Sequence, residues 1–175
     1  MEANIDKVDW PWLSGNPNAI HILKNNMDKI LWNNLSSVPE AMQILEDNPD
    51  KIFWDYFSIN PKAIDILKAN LDIISWIGFS ANINAIDILK DNVNKINWLF
   101  LSTNANAIDL LEANNDKINW EFLSENSNAI HMLKNNQDKI CWWRISKNPS
   151  IFEPDTKSIN ENILNKAILL DKIIN

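Results

Sequence analysis

The fold class that this 175-residue sequence predicts is all-α: an α-solenoid of about seven 22-residue, two-helix units with a longer C-terminal capping helix. Three observations predict it. Trp10, Trp32, Trp54, Trp76, Trp98, Trp120 and Trp142 stand 22 residues apart, and a fixed period of this kind marks units that bury their apolar faces only against neighbours. Within each period two short amphipathic stretches are separated by asparagines, as in residues 98–119, WLFLSTNANAIDLLEANNDKIN. Each stretch is only eight or nine residues long, too short to persist as an isolated helix. The stretches must therefore stack on one another.

The first helix of a unit is expected to begin after an aspartate: Asp28, Asp50, Asp72, Asp116 or Asp138, with Asn94 in the fourth unit. Such residues accept hydrogen bonds from the unpaired first amides of a helix. The helix then runs through Ile, Trp and Leu or Phe to a serine present in every unit, Ser14, Ser36, Ser58, Ser80, Ser102, Ser124 or Ser146. Two residues later stands Asn16, Asn60, Asn82, Asn104, Asn126 or Asn148, with Val38 in the second unit. Asparagine tolerates the left-handed conformation that ends helices, so these residues are expected as left-handed caps.

The second helix often opens with proline (Pro17, Pro39, Pro61, Pro149), which suits a first helical position. It carries an Ala-Ile-x-Ile-Leu pattern, as in Ala63-Ile64-Asp65-Ile66-Leu67, whose Ala, second Ile and Leu share one apolar face. It ends at Asn26, Asn48, Asn70, Asn92, Asn114 or Asn136, again expected as left-handed caps. The first helix is apolar on two sides and should be sandwiched between units. The second, with one polar face, should line the outside. A tryptophan buries roughly 150–250 Å², on the order of 4–6 kcal/mol of gross transfer energy at about 25 cal/mol per Å². The periodic tryptophans are expected to act as core glue.

The periodic array covers residues 1–149, since Asn4, Asp6, Lys7 and Val8 already stand in phase. No polar cap precedes it, so its first face is open to solvent or to a second copy. Residues 150–175 read as a C-terminal cap: Ser158-Ile159-Asn160-Glu161 is a capping box, followed by apolar Ile163, Ala167, Leu170 and Ile174.

Composition narrows the function. Net charge is −7, the pI is near 4.8, and Arg144 is the only arginine. Such a surface repels phosphate backbones, so nucleic acid is not an expected partner. Apolar runs are only a few residues long, too short to span a membrane. The N-terminus shows no secretory pattern, and the lone Cys141 suits a reducing compartment. A cytoplasmic location is expected. Asparagine, 29 of 175 residues, is in excess, and isoleucine and lysine are preferred over valine and arginine. Coding in an A+T-rich genome accounts for that bias.

Nothing in the sequence assembles into catalytic, cofactor or metal chemistry, and the chain does not read as an enzyme. His21 and His131 share one repeat position but stand five units apart. Asp65, Asp87 and Asp109 occupy that position in between; stacked helices lie about 8–10 Å apart, too wide for one cation. The seven serines recur with the tryptophans and are expected to bond backbone in the interior. Cys141, between Ile140 and Trp142, reads as packed rather than reactive.

Specificity should lie where the pattern varies. Asp65, Asp87, Asp91 and Asp109 form an acidic stripe, partly offset by Lys68 and Lys90. The stripe reads either as a solvated face or as a docking surface for a basic peptide or protein. Two residues after each periodic Trp stand Trp12, Asn34, Tyr56, Gly78, Phe100, Phe122 and Arg144. These read either as packing between units or, at Tyr56, Phe100 and Phe122, as exposed aromatic anchors.

The unit WxxLSxNPNAIxILKxNxDKI, with Asp50-Lys51-Ile52-Phe53-Trp54, Asn60-Pro61-Lys62-Ala63-Ile64 and Asn148-Pro149-Ser150-Ile151-Phe152-Glu153, resembles the short tryptophan- and asparagine-rich repeat proteins encoded by giant DNA viruses of the mimivirus type. The resemblance covers nearly the whole chain. It departs at Ile83, Ala105 and Ser127, which replace proline, and at Ile73, which replaces lysine; the fold should survive both. The resemblance implies no catalytic residue. The expected function is a protein-interaction scaffold, a viral factor engaging a host or viral protein. The alternative is a self-assembling component that associates through its N-terminal face.

Overall fold

A computed structural model describes residue 5 and residues 7–151. The cap expected over 150–175 therefore lies, apart from Ser150 and Ile151, outside the described residues. Seven one-turn first helices recur: α1 (Trp10–Ser14), α3 (Trp32–Ser36), α5 (Trp54–Phe57), α7 (Trp76–Ala81), α9 (Trp98–Leu101), α11 (Trp120–Leu123) and α13 (Trp142–Ile145). Between them stand the second helices α2 (Ile20–Lys24), α4 (Met42–Glu46), α6 (Ile64–Lys68), α8 (Ile86–Asp91), α10 (Ile108–Glu112) and α12 (Ile130–Lys134). No strand occurs among the described residues, and none of their helices is long and apolar enough to cross a membrane. The protein is an all-α array of helix pairs with a 22-residue period.

The first helices begin later than the sequence predicts. Asp28, Asp50, Asp116 and Asp138 sit inside single 3₁₀ turns such as Met27–Lys29. The turn closes through Lys29 N–H to Asn26 O, 3.0 Å, and Ile30 then goes extended (φ −64°, ψ 128°). That extended residue drives the isoleucine into the core: Ile30, Ile74, Ile96 and Ile118 are buried. Burying it breaks the helix and moves the N-cap to the residue before Trp. There Asp9, Asn97 and Asn119 accept from the N–H of Trp12, Phe100 and Phe122.

The asparagines are not left-handed caps either. No described residue has a positive φ; Asn60 sits at φ −65°, ψ 115° and Asn26 at φ −141°, ψ 51°. They work through their side-chain amides. Asn26, Asn48, Asn70, Asn92, Asn114 and Asn136 each donate Nδ2–H to the carbonyl four residues back at 2.8–2.9 Å. This satisfies a helix-end carbonyl that would otherwise lack a partner.

The other set joins the units. Asn104 donates Nδ2–H to Ser80 O (3.1 Å) and Asn82 O (2.9 Å) of the preceding unit, and its Oδ1 accepts from Asn106 N–H (3.0 Å). Asn60, Asn82, Asn126 and Asn148 repeat the arrangement. All five are buried, and each uses both amide hydrogens and its oxygen, which is what a buried amide requires. Asn16 is exposed and bridges to no earlier carbonyl among the described residues, while the Val38 side chain cannot donate. Where Ile83, Ala105 and Ser127 replace proline, the opening 3₁₀ turn relaxes to a hydrogen-bonded turn. The asparagine still holds the N–H two residues on, so the fold survives the loss of proline.

Six of the seven serines bond backbone in the interior as expected and supply a second joint, while Ser146 is exposed and donates to Trp143 O at 2.7 Å. Ser14, Ser36, Ser58, Ser80, Ser102 and Ser124 donate Oγ–H to the Trp carbonyl four residues back at 2.6–2.8 Å. The same Oγ accepts the N–H that opens the next first helix at 2.9–3.0 Å. The core lies between the helix pairs. It comprises Leu35, Phe57, Phe79, Leu101 and Leu123 of the first helices, with the Ala and Leu of the second, such as Ala63 and Leu67.

The tryptophans depart from their expected place. Trp10 through Trp120 are half-buried and pack against the core from its edge, while Trp142 is exposed. A residue at the first position of a one-turn helix lies at the margin of the layer, and the residue three on takes the centre. Lysine covers the outer ring face: Lys95 lies over Trp76 (4.6 Å), Lys117 over Trp98 (4.8 Å) and Lys139 over Trp120 (4.4 Å).

Candidate interaction surfaces

The polar groups with nucleophilic or metal-binding chemistry are occupied or dispersed. The serine hydroxyls from Ser14 to Ser124 are committed to backbone on both sides. Cys141 is half-buried at the N-cap of α13, its N–H held by Ser124 Oγ at 3.0 Å. His131 Nε2 lies 2.8 Å from Glu112 Oε1 of the preceding unit, and His21 is exposed. Among the described residues no three His, Cys, Asp or Glu side chains gather as a metal site.

The second helices present one outer face. Asp65, Asp87 and Asp109 recur along it and are exposed, as is Asp91 at the end of α8. Asp87 pairs with Lys90 at 3.8 Å. Asp65, Asp87 and Asp109 stand one per helix and are exposed, so the stripe is a row of solvated charges rather than a cluster.

The first helices present a different face, built by the residues one, two and five positions after each Trp. The residue two after Trp forms a column, in which Asn34, Phe122 and Arg144 reach towards the preceding unit. Asn34 donates to Pro11 O at 2.7 Å; Phe122 lies against Phe100 with ring centroids 6.4 Å apart; the Arg144 guanidinium sits 4.0 Å from the Phe122 centroid. Arg144 also donates to Glu121 and Glu125, both at 2.8 Å, and those carboxylates, Glu121 first, hold its pKa above the usual guanidinium value. Of the three predicted aromatic anchors, Phe122 is thus half-buried in packing between units, while Tyr56 and Phe100 remain exposed.

Gly78 interrupts the column. A Cβ there would stand 2.8 Å from Asp55 O and 3.0 Å from Ile59 Cγ1, so glycine lets α7 close directly onto the backbone of α5. Tyr56 and Phe100, one unit to either side, flank the interruption. Together with Asp55, Ile59 and Ile77 they line a mainly apolar cleft of about 280 Å³. Sequence reasoning missed Ile59 and Ile77. The signal was in the repeat itself: the position of Ile59 holds Gly15, Ser37, Ala81, Thr103, Glu125 and Lys147 in the other units. An exposed isoleucine there breaks a small or polar pattern.

A second apolar groove, of about 320 Å³, opens at the last described unit among Ile130, Leu133, Ile140, Trp142, Ile145 and Ile151. It occupies the place where each earlier unit is covered by its successor. No protein-family model matches the chain, and neither the curated proteins nor the solved structures compared with it gave a match.

Proposed function

We propose that this chain is a protein–protein interaction scaffold, an α-solenoid whose variable outer positions engage a host or viral protein in the cytoplasm. The observation that carries the reading is the exposed apolar group on the first-helix face of the central units. Tyr56 is 46% exposed, Ile59 42%, Ile77 53% and Phe100 37%. Large exposed apolar residues that are scattered singly need no explanation, but a contiguous group marks an interaction site. The test compares binding of the wild-type chain with Ile59→Ser/Ile77→Ser and with Asp65→Lys/Asp87→Lys/Asp109→Lys, for any protein it captures. A partner lost by neither variant sinks the reading as it concerns these two faces.

A second reading, self-assembly, has its own observation. Trp12 is 82% exposed in the first described unit and Trp142 72% exposed in the last described one. Two large indoles left to solvent are surfaces that a second copy can cover. Sedimentation over a wide concentration range tests it: a single monomer mass throughout removes this reading and leaves the first.

A further inference from the structure

We infer that the cleft at Gly78 is an anchor site for a basic amphipathic helix, which inserts one aromatic or large aliphatic side chain between Tyr56 and Phe100. The inference rests on the scaffold reading and assigns it a partner chemistry. Size comes first. Sites for drug-sized ligands and cofactors span about 300–1,000 Å³ and carry several convergent polar groups. This cleft, at about 280 Å³, stands at the small end of that scale, is mostly apolar with one carboxylate residue on its rim, and has room for a side chain. Its walls are those of a hot-spot pocket: two aromatic rings, two isoleucines and a glycine floor.

Charge decides the partner's sign. Asp55 stands on the rim, is exposed, and has no ion pair among the described residues. On the same face the cations Arg144 and Lys147 are already held by Glu121 and Glu125. With a net charge of −7 behind it, the cleft attracts a cationic segment and repels an acidic one. Backbone decides the partner's form. The described residues present no strand edge, so an extended peptide finds no main-chain ladder to join. Of the modes that need no strand edge, a proline-rich segment docks along a row of aromatic slots, whereas this single pocket suits one anchor residue of an amphipathic helix laid across the face.

Two departures from the repeat meet at this site. Gly78 stands at the position that holds Trp12, Tyr56, Phe100 and Phe122 in other units, Ile59 stands where the other units carry small or polar residues, and the fold brings both to one place.

The test is a displayed library of short helical peptides selected on the full chain, with selected peptides then synthesised and titrated. The expected peptides carry an aromatic residue or leucine at one fixed position, flanked by Lys or Arg. Their affinity should fall about 30-fold for Ile77→Lys, the loss of about 2 kcal/mol that marks a hot spot. It should fall less for Asp55→Lys. Ile77 is exposed, and an unchanged far-UV circular dichroism melt verifies that each variant folds. Peptides that bind Ile77→Lys unchanged but lose Asp65→Lys/Asp87→Lys/Asp109→Lys overturn the cleft and leave the scaffold standing on its acidic face. Selected peptides that are acidic overturn the charge argument and with it the proposal. A selection that yields no binder overturns both the cleft and the scaffold.

Discussion

Replacing Asn104 by alanine removes three hydrogen bonds from the joint between the fourth and fifth units. Ser80 O loses its Asn104 partner at 3.1 Å, and a buried carbonyl left unpaired costs about 1–3 kcal/mol. Asn82 O suffers less, because it still accepts from Ala85 N–H at 3.1 Å. Asn106 N–H loses its cap at 3.0 Å, typically about 1 kcal/mol. The sum is about 3 kcal/mol. Asn16→Ala is the internal control. Asn16 makes the same cap, to Asn18 N–H at 2.9 Å, but is exposed and bridges to no earlier carbonyl among the described residues; it should cost about 1 kcal/mol. Urea unfolding followed by far-UV circular dichroism compares the two, with the slope of each transition checked for constancy. A transition split in two is a second expected sign of the internal lesion, since each unit of a repeat array leans only on its neighbours. If Asn104→Ala loses no more stability than Asn16→Ala, the bridging role is refuted.

Four further outcomes are expected. Gly78→Ala should destabilise by about 1–3 kcal/mol, because its Cβ meets the Asp55 carbonyl at 2.8 Å; Gly15→Ala, with nothing closer than 3.8 Å, should be neutral or slightly stabilising. Equal thermal shifts for the two would remove the close-approach argument. Ser102→Ala strips Trp98 O and Asn119 N–H of their shared hydroxyl and should cost about 1–3 kcal/mol by denaturant titration. Lys117→Met uncovers the charge from Trp98 and should cost about 0.5–1 kcal/mol, with a shift in tryptophan emission; an unaltered emission spectrum counts against the contact. Hydrogen exchange should find amides of the first unit opening before those of the central units, because Val38 gives the first joint no bridging amide. Equal protection across the array would contradict this.

The array was legible because its strongest signal is self-similarity. Trp at every 22nd residue, the serine four residues on, and Ala-Ile-x-Ile-Leu located both helices and the buried Ala and Leu. The asparagines were located correctly and given the wrong task. A left-handed cap is a local property, whereas Asn60 and its counterparts bond carbonyls 22 and 24 residues earlier. No local propensity contains that information. The aspartate N-caps failed for a related reason: burial of Ile30 forces extended backbone where the local pattern continues a helix. Asp65, Asp87 and Asp109 were correctly assigned to one outer face, but the cleft could not be read. Its existence depends on Gly78 drawing α7 onto α5, a distance between helices that only the folded chain expresses.

The amides of Asn60, Asn82, Asn104, Asn126 and Asn148 all donate towards the N-terminus, and each finds two main-chain carbonyls there, Asn60 adding a long 3.7 Å contact to Met42 Sδ. Asn60 bonds Val38 O just as Asn82 bonds Asn60 O, although the side chains at the accepting position are unrelated. Each joint therefore ignores the identity of the unit it grips. Recombination that copies or deletes one whole period leaves every remaining joint chemically complete, while a change of any other length misplaces the donor. Such a chain can lengthen, shorten or shuffle its segments and keep its fold, leaving its outer positions free to diverge.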